Sequence, residues 1–290
     1  MKKVLSFDIG GTKIAAAVIG EDGSFQGNIN KYPTPDTADG IVSLFRSVIE
    51  NCADIDGVAF STAGAVNMEG THITSFVGNL PRGYNNTDFC ALTNKPVLVE
   101  NDANCAGWAE YVLGAAKGCD NSIILTIGTG VGSGIIVNGK LLKGKSGAAG
   151  EMHFPIDSGH KRKCKGCGMY DCFESFASGT GLGLFAQASM GEKATTYDVI
   201  ELKKQGDSTA IKVFNEWQSY LTKGMIMLGN IFDPQIIVLS GSMAEFIEYD
   251  KATKEVNSAI LTQPLQVVPA HFANNAGMIG AAMLLHKKLN

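Results

Sequence analysis

The chain has 290 residues, 45% apolar and 18% charged, and a formal net charge of −4, so two domains of roughly 100 to 170 residues are expected rather than one core, and a nucleic-acid surface is disfavoured because the only basic cluster is short, at 160–165. No run approaches the ~20 apolar residues of a membrane span, and MKKVLSFDIGG holds too few apolar residues before Asp8 for a signal-peptide core. The expected compartment is therefore a reducing cytoplasm, where seven cysteines read as metal ligands before disulfides.

In chain order, KVLSFDIGG reads as a buried strand meeting a glycine turn, and Ile41, Leu44, Phe45, Val48 and Ile49 keep helical spacing. THITSF and KPVLVE read as strands, as does NSIILTIGTG. Helical spacing returns at Ile211, Phe214, Trp217, Leu221, Met225 and Leu228, and that helix is expected to stop near Asp233-Pro234. QIIVLSGS is another strand with a glycine turn, and Met278, Ile279, Ala282 and Leu285 mark a closing amphipathic helix. A shift of 118 positions places Asp8-Ile9-Gly10 on Thr126-Ile127-Gly128, and Ala17-Val18-Ile19 on Ile135-Ile136-Val137. Two unrelated hairpins would share such turn chemistry, but duplicated domains are the expectation. The division expected is 1–115, then 116–275 with the cysteine cluster, then a helix over 276–290 returning to the first domain. An active site between the halves follows.

GKLLKGKS, from Gly139 to Ser146, matches the P-loop pattern completely. The mechanism of that loop requires a helix N-terminus directly after the lysine. Asn138-Gly139 is instead a hairpin dipeptide, and GAAGEMHFP after Ser146 is a poor helix, so this motif is set aside. Better phosphate sites are the two glycine turns. In DIGGTK, Gly10 and Gly11 let backbone N–H groups approach a polyphosphate, Thr12 and Lys13 add donors, and Asp8 can hold Mg²⁺ directly or through water. In TIGTGVGSG a second set of N–H groups and the Thr129 hydroxyl could grip the same anion from the other half. In VENDANCAGWAEY a strand runs into Asn101-Asp102 and a helix begins at Ala103. Asn101 or Asp102 would serve as N-cap; alternatively Asp102, at a strand end facing the cleft, accepts a proton from an attacking hydroxyl.

Between Glu151 and Phe176 lie Cys164-x-x-Cys167 and Cys172. With one histidine they make a Cys₃His set suited to tetrahedral zinc. His153 is favoured as the fourth ligand, with His160 also within reach. Four protein ligands close the metal's shell, so a structural zinc is expected.

DIGGTK, STAG at 61–64, GNLP, NDAN, TIGTGVGSG and the cysteine cluster occur in one order, and in that order the chain resembles the ROK family of sugar kinases and related repressors from Asp8 to Gly280. The resemblance implies the actin-like, ribonuclease H-like fold of duplicated α/β domains with a zinc knuckle. It also implies ATP-dependent phosphorylation of the 6-hydroxyl of a hexose or hexosamine, with Asp102 as base, Mg²⁺ with ATP, and a homodimer. Asp8, Gly10, Gly11, Thr12 and Lys13 match the first phosphate loop, Thr129, Gly130 and Gly132 the second, and Gly241 falls near the adenosine. Sugar contacts map to Gly64, Asn79, Asn101, Asp102, Glu151, His153 and Glu174. STAG, GWAEY at 107–111 and AHFANNAGMIGAA at 270–282 are most similar to members acting on N-acetylmannosamine, with glucose and N-acetylglucosamine as alternatives. Repressors of the family carry an extra N-terminal helix-turn-helix, for which a first phosphate loop at residue 8 leaves no room, so an enzyme is expected over a sugar-sensing regulator. The chain departs from the family's Glu-x-Gly-His and Cys-x-Cys spacing: Glu151-Met152-His153 is one residue short, Cys164-Lys165-Gly166-Cys167 is one long, and Asp171 stands where glycine is expected.

Overall fold

The structure, a computed structural model, describes residues 1–75 and 78–290. In the first half β1 (Lys3–Ile9) and β2 (Lys13–Gly20) form a hairpin, followed by β3 (Asn30–Pro33), helix α1 (Ala38–Glu50), β4 (Gly57–Thr62), β5 (Val97–Asn101) and helix α2 (Asp102–Val112). The second half runs β6 (Ser122–Ile127), β7 (Val131–Val137), β8 (Lys140–Leu141), α3 (Phe173–Ala177), α4 (Gly179–Met190), α5 (Thr196–Lys204), α6 (Ser208–Phe232), β9 (Ile236–Ser240), α7 (Tyr249–Asn257), β10 (Gln266–Pro269) and α8 (Ala276–Leu289).

Each half builds one five-stranded sheet, with strand orders β3-β2-β1-β4-β5 and β8-β7-β6-β9-β10. The pairings match one for one: β1 with β2 and β2 with β3 are antiparallel, β1 with β4 and β4 with β5 parallel, and the second sheet repeats all four. Ile9 pairs with Ile14 across the first turn and Ile127 with Val131 across the second, so the shift of 118 holds into the turn and the second turn is one residue shorter than the first.

Local chemistry explains the elements. Thr37 caps α1 by accepting the Gly40 N–H, and Ile41, Phe45 and Ile49, four apart, are buried. They join Phe7, Phe60 and Phe89 in an aromatic core on one face of the first sheet, with Phe7 stacked on Phe60 at 5.0 Å. Helix α6 stops where Asp233 turns left-handed at φ 46° before Pro234. Helix α8 lies on the other face of the first sheet beside α2. The fit is close enough that a Cβ on Gly280 would fall 1.7 Å from the Cys105 carbonyl oxygen. Helix α2 also meets the second sheet, where a Cβ on Gly107 would lie 2.9 Å from Cα of Gly134. Among the described residues no helix is long and apolar enough to cross a membrane.

One expected strand is absent. THITSF forms only an isolated bridge between Val66 and Ile73, and its Phe76 lies outside the described residues. The Asn67 side chain accepts the N–H groups of Thr71 and His72 at 2.8 and 3.1 Å, which bends the backbone away from a ladder.

Candidate active site

Where β5 runs into α2, the two candidate residues divide the work. Asn101 is the N-cap, its Oδ1 accepting from Ala103 and Asn104 N–H at 3.0 and 3.1 Å, while its amide donates to the Gly64 carbonyl at 3.1 Å. That leaves the Asp102 carboxylate to face the cleft; it takes one local bond, from the Ala103 N–H at 2.8 Å. Solvent reaches it through the cleft, yet protein surrounds it on its other sides. This burial, with the charges of Asp8 and then Glu151 nearby, pushes its pKa up to about 6. Asp8 is likewise raised by burial, against the Ser61 hydroxyl that donates to it at 2.8 Å and the charge of Lys13.

A pocket of about 170 Å³ opens before Asp102 and brings Gly64, Asn101, Asp102, Gly132 and Glu151 together. One wall is Ala63, Gly64 and Ala65; the opposite one is the segment 147–151. That segment is pressed into place by a glycine at φ +80°, Gly147, where a Cβ would overlap the Val66 carbonyl oxygen at 1.7 Å. It is also tied to β7 by the Ser133 hydroxyl, which donates to the Gly150 carbonyl at 2.6 Å.

The two glycine turns follow β1 and β6, the strands paired with β4 and β7, whose neighbourhood supplies Ala63, Gly132 and Ser133 to this pocket. Gly10, Gly11, Thr12 and Lys13 are all exposed in a turn closed by the Gly10 N–H on the Lys13 carbonyl at 3.0 Å. Asn79 sits beside Gly11, close to its Cα, and is not a wall of the pocket. In the second turn Thr129 is exposed and Gly128 accepts the Gly179 N–H at 2.8 Å. A second cavity of about 220 Å³ starts at Gly128 and Thr129 and ends on Ile200, Met243 and Phe246, an apolar end suited to a flat ring. Gly241, at φ +88°, turns β9 against Ile127 beside that cavity. Gly132 lies in β7 rather than in the turn, with Thr126 and Ala103 where its side chain would be, so its smallness serves packing and pocket shape.

The cysteine cluster assembles as a four-ligand set. Donor atoms of His153, Cys164, Cys167 and Cys172 lie within 4.8 Å of one another. A tetrahedral zinc with Zn–S near 2.3 Å needs ligand separations of roughly 3.8 Å, so the set fits. His160 is elsewhere, its ring 5.7 Å from those of Phe176 and Phe185 and its Nε2 3.4 Å from Glu216. The short Glu-x-His spacing is absorbed at Pro155, which bridges to Cys172. Burial raises the Cys164 thiol, but N–H groups of Cys167 and Gly166 outweigh it and hold it below its usual value; burial pushes Cys172 up to about 12. His153 presents Nδ1 to Cys172 at 3.5 Å and Nε2 to Glu151 at 3.7 Å, the arrangement of a ligand steadied by a carboxylate behind it.

Glu174 does not line the pocket. Its Oε2 accepts the Val131 N–H at 3.1 Å and its Oε1 lies 3.7 Å from the Cys164 sulfur, so it links the cluster to the second glycine turn. Two residues absent from the sequence reading stand behind Asp102. Glu100 accepts the Asn101 N–H and the Asn104 amide at 3.0 and 3.1 Å, and Lys143 pairs with it at 2.8 Å. The signal in the sequence was a charged residue inside an otherwise apolar strand, VLVEN.

The model of the ROK family matches residues 4–288. A glucokinase from Streptomyces coelicolor is 33% identical and an N-acetylmannosamine kinase from Yersinia pseudotuberculosis 32% identical, each alignment covering 98% of both chains. The crystal structure of a ROK family glucokinase from Streptomyces griseus, in complex with glucose and AMPPNP, superposes with a TM-score of 0.79 at 31% identity over 97% of this chain and 98% of that one.

Proposed function

The chain belongs to the ROK family and is a sugar kinase, and on that premise we propose that it transfers the γ-phosphoryl group of ATP to the 6-hydroxyl of an amino sugar, N-acetylmannosamine. The observation that carries the reading is the placement of Asp102: a carboxylate just past the end of β5, with one local hydrogen bond, facing a small pocket lined by both halves of the chain.

The sugar is held against Gly64, Asn101 and Glu151, with its hydroxyl directed at Asp102. As the O6–phosphorus bond forms and the bond to the β-phosphate oxygen breaks, the hydroxyl proton passes to Asp102 and ADP leaves. The transition state is loose, so a carboxylate titrating near 6 is basic enough and positioning does most of the remainder. Gly10 to Lys13 and Thr129-Gly130 offer N–H groups and hydroxyls to the phosphates, and the cavity ending on Met243 and Phe246 takes the base. Asp8 would hold Mg²⁺, which neutralises phosphate charge when bound with ATP. His153, Cys164, Cys167 and Cys172 would hold a structural zinc that fixes the segment bearing Glu151.

Two features support an acetamido sugar: the small apolar wall of Ala63, Gly64, Ala65, Ala148 and Ala149, and the full-length similarity to the Yersinia kinase. Glucose is the second reading, favoured by equal similarity to the Streptomyces enzyme. GWAEY and AHFANNAGMIGAA do not choose between them. They pack on each other through Glu110, which accepts the N–H groups of His271 and Phe272 at 3.1 and 2.8 Å, away from the pocket. A sugar panel with coupled ADP detection tests the proposal. kcat/KM for N-acetylmannosamine is expected at least tenfold above glucose and N-acetylglucosamine; the reverse order overturns the substrate, and ADP release without sugar overturns the acceptor.

A further inference from the structure

The segment GKLLKGKS, rejected as a phosphate loop, carries a lysine with a different task. Lys143 is 13% exposed and its partner Glu100 4% exposed, and their 2.8 Å contact joins the second half of the chain to the first. The same ammonium donates to the Asn67 carbonyl at 2.9 Å. Glu100 spends its other oxygen on the Asn101 N–H and the Asn104 amide. Three walls of the sugar pocket therefore meet at one ammonium group. The 63–66 loop comes through Asn67, the Asn101-Asp102 turn through Glu100, and the 147–151 segment by chain continuity from Lys143.

We propose that Lys143 is a positioning residue for phosphoryl transfer: it clamps the segment carrying Glu151 against the turn carrying Asp102, so that the sugar hydroxyl meets the carboxylate in one geometry. A buried charge with three donors suits this, because ammonium and carboxylate each lose their hydration on burial and are stabilised again only by partners held at hydrogen-bond distance. A shift of about 1 Å at a reacting pair can cost a hundredfold in rate. The hydrogen bonds and ion pair of this junction, among the described residues, go to Asn67, Asn101 and Asn104 and not to the glycine turns, so sugar and nucleotide parameters should separate.

The inference rests on the pocket assigned above, and its test uses whichever sugar the parent chain phosphorylates best. Lys143→Met is expected to raise the sugar KM at least tenfold and lower kcat, while the ATP KM stays within threefold. Lys143→Arg keeps charge and donors and should bring the sugar KM back within threefold of the parent. If Lys143→Met fails to fold, the Lys143→Met/Glu100→Gln double variant, which buries no unpaired charge, replaces it. A clamp predicts that its sugar KM stays raised even where its melting temperature recovers. A sugar KM within twofold of the parent in either variant, or sugar and ATP KM rising together, overturns the proposal. Calorimetric sugar affinity reads the same tenfold loss without turnover, so a parent that releases no ADP would count against the kinase reading and leave this comparison standing.

Discussion

Burial of the Asp102 carboxyl, with Asp8 and Glu151 as neighbours, puts an electrostatic cost into the folded state that the proposed base would use. The unfolded chain titrates Asp102 near 4 and the folded chain near 6. Between those values the folded state holds the proton and the unfolded state does not, so this group's contribution to stability is complete below pH 4 and lost as pH rises through 6. Asp102→Asn, which mimics the protonated form, is therefore expected to melt with the parent below about pH 4 and above it at pH 8, in calorimetric scans across that range. Its turnover should fall at least a thousandfold with sugar affinity within threefold; a residual rate of several per cent would dismiss Asp102 as the base. For the parent, kcat/KM should fall below about pH 6, as the base protonates, in pH–rate profiles. The sequence left Asn101 and Asp102 as equal candidates for the cap, because residue type alone satisfies both roles. The structure separates them by where each oxygen points. It also separates His153, which the sequence favoured, from His160, which it left within reach, since only the folding of residues 152–172 decides which ring reaches the sulfurs.

Elements were legible where periodicity and punctuation agreed. The apolar stripe of α1, the stop of α6 at Asp233-Pro234 and the Asn138-Gly139 hairpin are each set within a few residues. THITSF misled because its β-branched residues satisfy strand propensity while a neighbouring asparagine takes its N–H groups, a competition no propensity scale contains. The same local logic predicts that Lys145, exposed beyond a hairpin rather than at a helix N-terminus, has no part in nucleotide binding. Lys145→Ala should leave the ATP KM within twofold; a tenfold rise would reinstate GKLLKGKS as a phosphate loop. Helix α8 makes the opposite case. At Gly280 the chain has no room for any side chain against α2, so Gly280→Val should destabilise by at least about 2 kcal/mol, read as a lowered denaturation midpoint at constant slope.

At the scale of the whole molecule the repeat of 118 residues pointed to two halves, and the identical strand orders bear out the duplicated α/β sheets. What the repeat could not supply is the traffic between the halves, which depends on single side chains that break the symmetry, such as Lys143 on Glu100. Among the described residues the cluster has no counterpart in the first half, and its position suggests why a metal would be kept there. A metal there would staple the long irregular segment between β8 and α3, which carries Glu151 at the pocket and leads into Glu174, on α3, beside the second glycine turn. A metal serving only that purpose should be exchangeable without changing the chemistry, whereas a metal presenting water to the substrate would alter the rate with its own acidity. Protein grown with zinc should thus carry one equivalent by elemental analysis, and His153→Ala should lose it while His160→Ala retains it. Chelation should lower the melting temperature by more than about 5 °C, because binding free energy at such a site is folding free energy. Substitution with Co²⁺ should restore that stability, show thiolate-to-cobalt charge-transfer absorption, and leave kcat within twofold of the zinc form. A kcat that tracked the identity of the metal would make the cluster part of the reaction instead of its scaffold.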